Sequence, residues 1–143
     1  LHIAFAESCT GGLAAARLIN VASASGVIDG SIVTYANEIK TKYVHVPEEM
    51  IRDYGVVSEE VASAMARGIA REMNCETGVG ISGIAGPGGA TPGKPVGMVC
   101  FGFVIGDEAW SRTRYFGNIG RNEVRRASVE FVYDELLAHL TKR

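Results

Sequence analysis

Apolar and polar positions change period several times along the chain, and the changes mark its elements. Residues 2–6 form a short apolar run ending at Glu7-Ser8, which predicts a buried strand. Thr10-Gly11-Gly12 then opens an alanine-rich stretch from Leu13 to Asn20 that propensity makes a helix. Ser31 to Tyr35, β-branched and aromatic, predicts a second strand. Asn37 is placed to cap a short helix through Lys40 to Tyr43, and Pro47, as at a helix first position, to start a further short turn, Glu48 to Asp53. Ser58 followed by Glu59-Glu60 is a helix start, with Val61, Met65, Ile69 and Met73 recurring every four residues as a core stripe.

Gly78 to Ser82 and Gly97 to Ile105 predict two further strands. Ala109 to Phe116 alternates, with Trp110, Arg112, Arg114 and Phe116 on one side and Ser111, Thr113 and Tyr115 on the other. The short link Gly106-Asp107-Glu108 makes those last two strands an antiparallel hairpin. A closing helix from Arg121 carries Val129, Val132, Tyr133, Leu136 and Leu140 at helical spacing. The order βαβααβββα predicts a single α/β domain over residues 1–143, with a mixed sheet and helices on both faces.

Composition narrows the function classes. The 143 residues are 47% hydrophobic, enough for a core without disulfide or metal staples. A net charge of −2 lacks the footprint of a nucleic-acid binder. No apolar run reaches the ~20 residues of a membrane span. Cys9, Cys75 and Cys100 form no CxxC pair, so reduced thiols and a cytoplasmic location are expected. His2, His45 and His139 are too scattered for a zinc site or a Ser-His-Asp triad, and no metal or other cofactor is expected. The 18 glycines cluster beside apolar runs, which points to turns where a ligand approaches the backbone. The chain has no initiator Met and opens in an apolar run, so further residues, forming a helix, are expected before Leu1.

Candidate chemistry lies at the strand ends, where α/β sheets bind ligands. Ser8 precedes a helix N-terminus, whose N–H groups favour negative charge; it is either a nucleophile there or, with Thr10, a simple cap. In the first case the Thr10-Gly11-Gly12 amides are placed to hold an oxyanion. If the strands before Ser8 and Tyr35 leave the same sheet edge, Tyr35 and Lys40 converge on Ser8, with Lys40 as base once its pKa falls. Otherwise Lys40 is a solvated helix lysine. Gly83 to Gly97 is a glycine-rich loop without a P-loop or Rossmann pattern, either a ligand cradle or a plain flexible loop. Arg121 and Arg125 share a helix face that either holds a phosphate or is solvated together with Arg126.

Taken together, Ala6-Glu7-Ser8-Cys9-Thr10-Gly11-Gly12, Val33 to Lys40, Gly55-Val56-Val57-Ser58, Ser82 to Pro87 and Lys94-Pro95-Val96-Gly97 resemble one family in order and spacing, from residue 1 to about residue 130. It is the C-terminal domain of the competence/damage-inducible protein CinA, found alone as nicotinamide-nucleotide amidase. The resemblance implies a three-layer α/β/α sandwich with a mixed five-stranded sheet, a homodimer, and deamidation of nicotinamide mononucleotide without a metal. It implies Ser8 as nucleophile, Tyr35 and Lys40 as its activating pair, Ser82 and Gly83 near the substrate, and Arg121 as a phosphate or ribose contact. A non-catalytic module that binds pyridine nucleotides or a partner is the alternative.

Overall fold

The computed structural model describes residues 1–142. Its elements run β1 (Ile3–Glu7), α1 (Leu13–Ile19), β2 (Ile28–Val33), α2 (Asn37–Val44), α3 (Glu48–Tyr54), α4 (Glu59–Glu72), β3 (Thr77–Gly83), β4 (Met98–Ile105), β5 (Glu108–Tyr115) and α5 (Arg121–Leu140). The five strands form one sheet in the order β2-β1-β3-β4-β5. β2, β1 and β3 are parallel, and β4 and β5 run antiparallel beyond them, joined by the expected hairpin. The carboxyl ends of the three parallel strands therefore share one edge, and residues 8, 34–35 and 82–83 emerge there together.

The two faces of the sheet carry different residues because side chains alternate along each strand. Ile3, Phe5, Val79, Ile81, Phe101 and Phe103 pack toward Val124, Val129, Val132 and Leu136 of α5, with Ala14 and Ala15 of α1. Ala4 and Ala6 face the opposite side, where Val44 of α2 and Val61, Met65 and Ile69 of α4 complete a second cluster. Here the glycines have a different use from the one their clustering predicts. A Cβ on Gly80 or Gly102 would lie 2.2 or 2.3 Å from the Ala62 carbonyl of α4. These strand glycines bring a helix backbone, not a ligand, down onto the sheet. Met65 is fully buried and Met73 packs against the same cluster, as their spacing predicts.

Several boundaries move. β2 begins three residues before its predicted start and stops at Val33, because the Thr34 amide donates to the Glu7 carbonyl at 2.8 Å while the Thr34 and Tyr35 carbonyls turn away to Lys40. Asn37 is the first residue of α2, with extended Ala36 at the cap, and Pro47 is itself the extended cap residue of α3. Ser58 caps α4 as expected, its hydroxyl accepting from the Val61 amide at 3.2 Å. On β5, Trp110 faces the α5 side, while the Ser111 and Thr113 hydroxyls donate to Glu59 at 2.6 and 2.5 Å. The predicted alternation holds.

Candidate active site

Ser8 follows β1 at the shared sheet edge, its amide donating to the Ile81 carbonyl at 3.0 Å and its carbonyl accepting from Gly11 at 3.1 Å. The turn then passes through Gly11 and Gly12, with φ of +55° and +101°, a left-handed pair that side chains with a Cβ rarely adopt. Glu7 locks this turn from beneath. Its fully buried carboxylate accepts from the Thr10 hydroxyl at 2.8 Å, the Ala14 and Ala15 amides at 2.8 and 3.1 Å, and the Ser31 hydroxyl at 2.9 Å. One side chain thus caps α1 and ties it to β1 and β2.

Lys40 lies on the first turn of α2, and helical side chains lean toward the helix N-terminus. Its ammonium end consequently reaches back to the sheet edge, where Nζ lies 3.2 Å from Ser8 Oγ and donates to the Thr34 and Tyr35 carbonyls at 2.5 and 3.1 Å. The residue is fully buried and forms no ion pair among the described residues. Burial disfavours the charged form and lowers its pKa from 10.5 to about 8. At neutral pH a usable fraction of this lysine is unprotonated and can accept the Ser8 proton.

Ser8 and Lys40 open onto a cavity of about 450 Å³, within the ~300–1,000 Å³ usual for small-molecule sites. Its walls come from the strand ends, residues 55–57, and the loop from Gly83 to Lys94, with Tyr35 and Arg121 also lining it. It holds three cationic side chains, Lys40, Lys94 and Arg121, and no carboxylate among the described residues lines it. Such a cavity favours an anionic ligand.

Residues 1–140 match the family described as the CinA C-terminal domain. The chain belongs to the CinA C-terminal domain family. The CinA-like protein of Dictyoglomus turgidum is 48% identical over 126 residues, covering 87% of this chain and 30% of that protein. That of Mycolicibacterium gilvum is 48% identical over 128 residues, with 88% and 30% covered. The chain thus spans about 30% of the length of these curated relatives. Among solved structures, the competence/damage inducible protein CihA of Agrobacterium tumefaciens superposes with a TM-score of 0.94 at 37% identity, covering 96% of this chain and 84% of that one. A CinA superfamily protein of Klebsiella pneumoniae gives 0.95 at 30% identity, covering 99% and 88%. The α/β fold with its mixed sheet is therefore that of the CinA superfamily structures.

The CinA domain brings Ser8, Lys40, Tyr35, Ser82, Gly83 and Arg121 to one cavity. It does not bring Thr10, Gly11 and Gly12 there. Of the three amides expected to hold an oxyanion, that of Gly11 is spent on the Ser8 carbonyl, while Glu7 takes the Ala14 and Ala15 amides and the Thr10 hydroxyl. Glu7, read only as a strand end, is what organises this turn. Tyr35 is the residue expected to relay a proton or to hold Lys40 in place. It holds Lys40 through its main-chain carbonyl, while its exposed hydroxyl accepts from Arg121 Nη2 at 3.0 Å. Ser82 donates to the Val56 carbonyl at 2.7 Å and so fixes the 55–57 wall.

The two arginines expected to act together are divided. Arg121 lines the cavity and donates to the Gly86 carbonyl at 2.7 Å. Arg125 is spent on the Cys9 and Thr10 carbonyls at 3.0 and 3.2 Å, pinning the Ser8 turn to α5. Arg126 pairs with Glu123 at the surface. Cys9 also borders the cavity, but burial pushes its thiol up to about 12, which withholds the thiolate a nucleophile needs. His2, His45 and His139 pair with Asp29, Glu72 and Glu108, and none lines the cavity.

Proposed function

We propose that this CinA domain hydrolyses the carboxamide of nicotinamide mononucleotide, releasing ammonia and nicotinic acid mononucleotide through a serine acyl-enzyme. The observation that carries this reading is the 3.2 Å contact between Ser8 Oγ and Lys40 Nζ, with Lys40 buried and its pKa lowered. Neutral Lys40 accepts the Ser8 proton as Oγ attacks the amide carbon. The resulting ammonium gives that proton to the departing nitrogen, and ammonia leaves. Water then attacks the ester, losing a proton to Lys40 and returning Ser8 to its hydroxyl form. The Thr34 and Tyr35 carbonyls keep the amine aimed at Oγ throughout this cycle.

Arg121 is the candidate contact for the substrate's phosphate, since a guanidinium offers five donors in a planar fork and only part of that fork is engaged. A module that only binds pyridine nucleotides needs the cations and the cavity but gains nothing from a buried lysine beside a serine hydroxyl. Ammonia release from nicotinamide mononucleotide by the purified domain distinguishes the two. Turnover that disappears in Ser8→Ala supports the amidase; nucleotide binding without turnover supports the module.

A further inference from the structure

Lys94 reaches the cavity from a part of the chain unrelated to either Ser8 or Arg121, and its placement is specific. Thr91 and Lys94 exchange both main-chain hydrogen bonds, at 3.0 and 2.9 Å, around a Pro92-Gly93 tip in which Gly93 has φ of +80°. Proline fixes the first corner of such a turn and glycine supplies the left-handed second one, so the lysine stem leaves from a stiff backbone. Its Nζ donates to the Tyr54 carbonyl at 2.7 Å, at the end of α3. The space it occupies exists because residue 55 is glycine: a Cβ there would lie 2.5 Å from Nζ. Lys94 has no carboxylate partner among the described residues, and an ammonium has three donors, of which the Tyr54 carbonyl takes one.

A half-buried lysine parked on a single neutral carbonyl, at the wall of a cavity free of carboxylates, is matched to an anion arriving from that cavity. We infer that Lys94 is a second ligand for the phosphate of a phosphomonoester substrate, acting with Arg121 to make the cavity select a mononucleotide over its nucleoside. The inference rests on the amidase reading for the identity of the substrate, though not for the existence of the anion subsite. Phosphate binding leaves the Tyr54 contact or shares it, and the Pro-Gly turn limits how far the stem must reorganise. Lys94 touches no reacting atom in this account; it determines specificity.

The test is calorimetric binding of nicotinamide mononucleotide and of nicotinamide riboside to the full chain carrying Ser8→Ala, which prevents turnover, with Lys94 intact or changed to Met or Arg. Lys94→Met keeps most of the stem and removes the charge. The expected result is a roughly 10–100-fold fall in the ratio of mononucleotide to riboside affinity, the range for losing a charge-assisted hydrogen bond, with most of the ratio regained in Lys94→Arg. An unchanged ratio, an equal loss for both ligands, or no preference for the mononucleotide with Lys94 intact overturns the inference. Thermal melting of each variant separates a folding defect from a lost contact, and a Lys94→Met protein that melts early is replaced by Lys94→Gln under the same criteria. The unmodified domain assayed for ammonia in parallel separates the two readings: binding selectivity that depends on Lys94 without ammonia release keeps the anion subsite and removes the amidase, whereas ammonia release with an unchanged affinity ratio does the reverse.

Discussion

Glu7 and Lys40 are both fully buried, both charged in their ordinary forms, and both sit at the same sheet edge, yet their surroundings differ. Four donors converge on the Glu7 carboxylate, two of them main-chain amides that α1 cannot satisfy internally. Lys40 meets two neutral carbonyls and a serine hydroxyl, and no opposite charge. The carboxylate is used to build the turn that carries Ser8. The amine is held where its charge is disfavoured, which is what its proposed role as a base requires. Burial alone therefore does not distinguish the two groups; what the neighbours offer to the charge does.

The largest effect that would break this comparison is on activity. Ser8→Ala should remove nearly all ammonia release, and Lys40→Ala should lower kcat by ~10²–10⁴, the range for a positioned base. The double variant should be hardly worse than Ser8→Ala, because the two act as a unit. Cys9→Ala should keep most of the activity. Steady-state kinetics on the four proteins decides whether the lysine belongs with the serine.

Glu7→Ala should act on stability instead. It strands two helix amides and two hydroxyls, and a cost of about 3 kcal/mol or more follows from leaving buried donors unpaired. Urea unfolding reads this directly, and Glu7→Gln, which keeps an acceptor, should lose less. If Glu7→Ala unfolds at the wild-type midpoint, the contrast between the two residues fails.

Lys40 has a stability signature of the opposite kind. Its folded pKa of about 8 lies below the 10.5 of the unfolded chain, so the native state disfavours the proton and stability linked to this group rises with pH between those values. Lys40→Met should therefore gain relative to wild type at pH 7, and lose that gain as pH passes from about 8 to 10.5. The change in the difference is about 3 kcal/mol, from 1.36 kcal/mol per pKa unit applied to the shift from 10.5 to about 8. A difference in unfolding free energy that stays constant across this range would show that Lys40 is not held against its charge. The smallest effect is expected for Tyr35→Phe. It keeps the carbonyl that holds Lys40 and loses only the contact with Arg121, so kcat should change by less than about fivefold. A loss as large as that of Lys40→Ala would return the phenol to the proton path.

The alternation of β5, the Ser58 cap and the hairpin at Gly106 were legible because each depends on local pattern. The convergence of Ser8 with Lys40 was legible only conditionally, since it required β1 and β2 to be parallel and thus to end at one edge. The family resemblance named those residues, while the geometry shows how they meet. Glu7 was missed because an acidic residue after an apolar strand ordinarily signals the strand's exposed end. Its four donors come from residues 10, 14, 15 and 31, a grouping that only the folded turn creates. The strand glycines misled for a related reason: Gly80 and Gly102 answer to the approach of Ala62, and that approach is set by how α4 lies on the sheet. Lys94 carried a readable Pro-Gly turn signal, but its neighbour Tyr54 is forty residues away.

The pH dependence of kcat/KM for ammonia release from nicotinamide mononucleotide tests the central claim most directly, that Ser8 is activated by a buried, neutral lysine. Because the deprotonated amine is the active form, the rate should climb by about tenfold per pH unit below pH 8 and level off above it, following the Lys40 pKa of about 8. A profile that is flat from pH 6 to 10, or no ammonia at any pH, would contradict the account.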